Sequence, residues 1–168
     1  MINSGLTIGS DYPAFDPTHV SGPDQGKNAC PMCKYGKDQG MMVWWNKEDM
    51  AELAPFAQNM ERVILEKGFN NLRVFIMYMN TAGKPLTEIE NMLKGFSKNN
   101  NLKNVALTYI PSPTDAETAG LYEINPKAFN TIFIYKRRKV IDKFINYNLQ
   151  NTQKVLLQKL HLQLPDLL

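Results

Sequence analysis

Five short apolar runs alternate with amphipathic stretches along this chain. Gly40-Met41-Met42-Val43-Trp44-Trp45 is continuously apolar and ends at Asn46, the pattern of a strand buried on both faces. Leu53, Phe56, Ala57, Met60, Val63 and Ile64 then recur at spacings of three and four, which predicts a helix that Asn46 caps and Gly68 stops. Pro55 falls inside that pattern and, lacking an N–H, is expected to kink the helix. Leu72 to Met79 reads as a second buried strand. A helix opened by Thr87 presents Ile89, Met92, Leu93 and Phe96 before Asn99-Asn100-Asn101 breaks it. Val105 to Ile110 is a third strand, followed by a loop with Pro111 and Pro113. Asn130 to Tyr135 and Lys139 to Ile145 flank the basic turn Lys136-Arg137-Arg138 as a hairpin. Leu149, Val155, Leu156, Leu160 and Leu164 line a last helix over residues 148–163.

Residues 1–39 differ from the rest: prolines and glycines crowd together there without apolar periodicity, which predicts a loop-rich N-terminal arm ahead of one domain over residues 40–168. The turn-rich stretch from Asp16 to Asp24 looks built to hold one conformation, so the arm is expected to pack on the domain. Alternating strands and helices, then a hairpin and a helix (βαβαββα), predict an α/β fold with a mixed central β-sheet flanked by helices on both faces. A chain of 168 residues with 43% apolar and 21% charged residues can build one ordinary core, which excludes wholesale disorder and a coiled coil. The net charge of +3 is too slight for a nucleic-acid binder, and no apolar run is long enough for a membrane span. Met1 to Gly5 has neither the basic nor the apolar region of a leader, so none is expected within the chain.

The order of elements over residues 40–164 resembles the thioredoxin-like fold. In the arm, Gly9-Ser10-Asp11-Tyr12-Pro13-Ala14-Phe15 is similar to the G-x-x-x-P-x-F segment of redoxin and peroxiredoxin relatives. Asp115 through Ala119-Gly120-Leu121-Tyr122-Glu123-Ile124 is similar to the short helix and Y-x-V segment that precedes their hairpin, and Ala54-Pro55 stands where thioredoxins carry an Ala-Pro in their first helix. The resemblance implies a redox C-x-x-C at the start of that helix, with its second cysteine five residues before the proline. Lys47-Glu48-Asp49-Met50 stands there instead, and no cysteine occupies the peroxidatic position, so peroxidase activity is not expected. The cis-proline that such folds place before the fourth strand is replaced by Asn130.

The two cysteines form Cys30-Pro31-Met32-Cys33 instead, upstream, where the arm meets the first strand. Such a pair closes a small disulfide ring and cycles by thiol–disulfide exchange with a protein or peptide thiol or disulfide partner, one thiolate attacking and the other resolving. Cys30 is the expected attacker. Lys34, Lys27 and Lys37 favour its thiolate while Asp24 and Asp38 oppose them. Pro31 within the ring, Trp45 and Pro55 near the loop that related folds use are the expected supporting residues. The alternative is a non-enzymatic thioredoxin-like binding module in which Cys30–Cys33 is a structural disulfide. His19 and His161 are the only imidazoles, too few beside two cysteines for a structural zinc site. A copper site from Cys30, Cys33 and His19 would depart from the motif of thioredoxin-like copper chaperones, so no metal and no cofactor is expected. One dithiol and no other thiol suits a bacterial, exported (periplasmic) protein, the compartment favoured here over the cytoplasm. The arm and the segment Leu160 to Leu168 are candidates for self-association.

Overall fold

A computed structural model of the chain describes residues 2–110 and 120–164. Strands β1 (Thr18–His19), β2 (Gln39–Trp45), β3 (Arg73–Met79), β4 (Ala106–Ile110), β5 (Asn130–Lys136) and β6 (Lys139–Ile145) form one sheet in the order β1-β4-β3-β2-β5-β6. The pairs β2·β3 and β3·β4 are parallel and the pairs β1·β4, β2·β5 and β5·β6 antiparallel, so the sheet is mixed as the element order predicts. The helices are α1 (Pro31–Tyr35), α2 (Leu53–Lys67), α3 (Leu86–Asn99) and α4 (Leu149–Gln158).

All three long helices pack on one face of the sheet. Phe56, Ala57, Met60, Val63 and Ile64 of α2, Ile89 and Leu93 of α3, and Leu156 and Leu157 of α4 share one apolar cluster with Met41, Val43 and Trp45. The crossovers from β2 to β3 and from β3 to β4 advance in the same direction, so with a common hand their helices land on the same side. The arm closes the other face. Gly9 and Tyr12 donate main-chain hydrogen bonds to Val140 and Arg138 at the β6 edge, and Val20 donates to Leu107 at the β4 edge. Between these anchorages Tyr12, Phe15 and Met32 are buried against Met42, Trp44, Phe75, Phe133 and Tyr135. Phe15 stacks on Trp44 with ring centroids 5.6 Å apart, and the Tyr122 hydroxyl donates to the Pro13 carbonyl at 2.6 Å.

Several sequence expectations are corrected here. The arm contains an edge strand and a helix that periodicity missed, because a two-residue strand and a five-residue helix hold too few positions to show a period. The second helix begins at Leu53 and not after Asn46. The Asn46 amide is spent on the Pro126 and Ala128 carbonyls, and residues 46–52 form a loop. Pro55 is therefore the third helical residue, where no carbonyl waits for its missing N–H, and it does not interrupt the helix. Gly68, at φ 87°, ends α2 as expected. The last helix stops at Gln158, so His161 lies beyond it and is exposed. Both tryptophans are fully buried, one on each face of the sheet, as a strand covered on both sides requires. The loop with Pro111 and Pro113, the segment from Asp115 to Ala119 and the tail from Pro165 lie outside the described residues.

Candidate redox site

Cys30 and Cys33 form a disulfide with Cα atoms 5.3 Å apart. Cys30 is the N-cap of α1, in extended conformation, and its sulfur accepts the Cys33 N–H at 3.1 Å. Pro31 follows at the first helical position, where its fixed φ suits the helix and its absent N–H leaves nothing unsatisfied. This proline directly after the cap is the local signal for α1, a helix too short to show an apolar period. The two sulfurs differ in access. Cys30 is buried, 9% exposed, whereas Cys33 is exposed.

The polar groups around the pair come from the arm itself. Asp24, 2% exposed, accepts hydrogen bonds from Lys34 and, at 2.7 Å, from the Tyr35 hydroxyl. Burial pushes the Asp24 carboxyl up, but the bonds from Lys34 and Tyr35 together outweigh it and hold the group below the usual carboxylate range. Lys34 is thereby committed to Asp24, and its bond to that carboxylate raises its own pKa. Sequence alone treated Asp24 as an opponent of the lysines, because nothing in a ten-residue separation tells which lysine it pairs. His19, on β1, shares a hydrogen bond with the Ala29 carbonyl at 2.8 Å; a carbonyl only accepts, so the ring Nε2 carries the proton. Burial lowers the His19 pKa, and its other nitrogen, Nδ1, is buried without a partner. Among the described residues no group of three or more metal-ligating side chains converges.

α1 also meets the sheet and the hairpin. Tyr35 stacks on Phe75, with centroids 6.1 Å apart, and the Arg73 guanidinium lies 4.0 Å from the Tyr35 ring centre. Arg138, in the β5–β6 turn, donates from Nε to the Met32 carbonyl at 3.3 Å.

Two supporting residues expected from the sequence lie elsewhere. Trp45 faces the three-helix side at the C-terminal end of β2, where its Nε1–H donates to the Asp49 carbonyl at 3.2 Å, and Pro55 sits in the first turn of α2. They flank the loop Lys47-Glu48-Asp49-Met50, with Asn130 opposite Trp45 in the β2–β5 ladder. Asn130 is fully buried; its side-chain amide donates to the Tyr147 carbonyl at 2.7 Å and accepts the Tyr147 N–H at 3.0 Å. A structural pin therefore stands at that position. The Lys47 ammonium covers the Phe129 ring at 4.2 Å beside it.

Solved structures with the same architecture include a protein assigned as a disulfide isomerase from Bacteroides thetaiotaomicron, 16% identical over 94% of this chain and 92% of that one, with a TM-score of 0.65. The fold is thioredoxin-like. A protein assigned as the thiol:disulfide interchange protein DsbE from Chlorobium tepidum matches with 14% identity over 92% of this chain and 95% of that one, at a TM-score of 0.63. Peroxiredoxin Q from Xanthomonas campestris matches with 8% identity over 86% of this chain and 88% of that one, at a TM-score of 0.63. No protein-family model and no curated relative matches the chain by sequence. Within the thioredoxin-like frame, the only disulfide among the described residues is on the arm that covers the sheet, and the loop after the central strand carries no cysteine.

Proposed function

We propose that the chain exchanges thiols and disulfides with a protein partner through Cys30 and Cys33, and that exchange enters at Cys33. The observation that carries this reading is the asymmetry of the pair: an exposed sulfur bonded to a buried one that caps a helix. A partner thiolate attacks the Cys33 Sγ, the Cys30–Cys33 bond breaks, and Cys30 leaves with the electron pair. The Cys33 N–H, already aimed at the Cys30 sulfur at 3.1 Å, stabilises that leaving thiolate. A second partner thiolate then attacks the partner's own sulfur in the mixed disulfide and releases Cys33. The partner ends as a disulfide and its two thiol protons end on Cys30 and Cys33; the reverse sequence reduces a partner disulfide.

The staple reading has less support. The bridge joins residues three apart within one helical turn and does not tie the arm to the sheet, which Tyr12, Phe15 and the edge hydrogen bonds already do. Closing so small a loop removes little chain entropy, worth about 2 kcal/mol at most.

The test is the redox midpoint of the pair, by thiol trapping across a glutathione series, beside an insulin-reduction assay with wild type and Cys33→Ser. A midpoint between about −120 and about −270 mV, with exchange lost in the variant, is the expected result. A midpoint below about −300 mV without exchange makes the pair a structural disulfide and the chain a binding module.

A further inference from the structure

The basic tip of the β5–β6 hairpin is the sequence motif that the redox reading leaves unused. Lys37, Lys136, Arg137 and Arg138 are exposed, and among the described residues no ion pair engages any of them. The acids nearby are spent on other cations: Asp24 on Lys34, Asp38 on Arg73 at 2.9 Å, and Asp11 on Lys139 at 2.7 Å. A cleft of about 290 Å³ opens beside the contact of the hairpin tip with the end of α1, lined by Gly36, Lys37, Arg137 and Arg138. A side chain at position 36 would come within 2.5 Å of the Met32 carbonyl and collide with Arg138, so glycine there is what lets the tip settle against the helix. Arg137 and Arg138 adopt φ of 51° and 65°, the left-handed pair of a two-residue turn for which Asn-Gly is the favoured sequence. Two cations are thus held, against backbone preference, beside the helix that carries the disulfide.

We propose that this cleft docks an acidic segment of the partner polypeptide and so brings the partner's neighbouring cysteine to Cys33. This rests on the exchange reading above. Gly36, the C-cap of α1, lies three residues beyond Cys33, a rise of about 4.5 Å along the helix, and an extended partner advances about 3.3 Å per residue. Given the reach of the arginine side chains, carboxylates two or three positions from the partner's cysteine meet the guanidinium groups. Those groups present planar, two-pronged donors that match carboxylates, and being exposed they act mainly on encounter and are screened by salt.

The test uses short peptides with two glutamates, or two glutamines, two and three positions from a central residue. That residue is serine with a fluorophore attached elsewhere for binding, and cysteine for exchange. Wild-type protein is expected to bind the acidic serine peptide about tenfold more tightly than the neutral one at low salt, with the preference lost at about 0.5 M salt and in Arg137→Glu. Reduction of the disulfide by dithiothreitol should proceed at the wild-type rate in that variant, which shows the site intact. Equal binding of the two peptides by wild type, or a preference that survives charge reversal, overturns the docking proposal. Exchange of both cysteine peptides without a binding preference does the same while leaving the exchange reading standing. Preferential binding of the acidic peptide with no mixed disulfide at Cys33 supports docking and removes the exchange reading.

Discussion

His19 donates from Nε2 to the main-chain carbonyl of Ala29, 2.8 Å away, so the edge strand β1 holds the peptide that leads directly into Cys30. The neutral ring satisfies that carbonyl and leaves only a lone pair unpartnered at Nδ1, whereas the charged ring would bury an N–H without an acceptor.

A pH dependence follows. Burial holds the folded His19 pKa below the unfolded value of 6.5, so between the two the unfolded chain binds the proton and the folded one does not. Its contribution to stability is complete above pH 6.5 and is lost as the pH falls from there toward the folded pKa. His19→Gln keeps a donor for Ala29 and removes the titration. Melting temperatures of wild type and variant, taken from about pH 7.5 down to about pH 5, should converge as the pH falls. A constant difference across that range would show that His19 does not titrate between the two states.

Access to the two sulfurs predicts a difference between single variants. Cys30→Ser leaves a thiol on the exposed side and should form a mixed disulfide with a model aromatic disulfide about tenfold faster than Cys33→Ser, whose remaining thiol is enclosed. The comparison is made by following the released thiolate at matched pH. The opposite ranking would return the attacking role to Cys30.

Removing both cysteines should disturb the fold little. The bridge spans three residues and the arm is held by aromatic packing, so the double serine variant is expected to lose about 2 kcal/mol or less, a fall in Tm below about 8 °C. Calorimetry of oxidised wild type and variant checks this. A much larger fall would favour a stapling role.

Glu61 is the buried carboxylate on which the start of β4 depends. Its Oε1 accepts the main-chain N–H groups of Lys103, Asn104 and Val105 at 2.8, 2.6 and 2.6 Å, and its Oε2 accepts the Asn104 side-chain amide at 3.0 Å. Glu61→Ala leaves those donors unpaired and should cost about 3 kcal/mol or more, Glu61→Gln distinctly less. Urea denaturation of the two variants measures both values, and near-equal losses would mean that shape rather than hydrogen bonding fixes the junction.

The chain's local pattern was sufficient for the sheet and its long helices. Runs such as Met41 to Trp45 and Leu72 to Met79 are apolar on both faces because both faces of the strand are covered, and Gly68 ends α2 because it alone takes φ of 87° cheaply. The start of α2 was misplaced because Asn46 looks like a cap in one dimension, while in three its amide goes to Pro126 and Ala128, some eighty positions on. The candidate pair was legible as Cys30-Pro31-Met32-Cys33, and even its helix was, through the proline after the cap. Which sulfur faces solvent, which lysine Asp24 holds, and that Arg137 and Arg138 stand beside Gly36 were decided only by folding. Each of these depends on where the arm and the hairpin meet across the sheet, and contacts between segments a hundred residues apart leave no periodic trace along the chain.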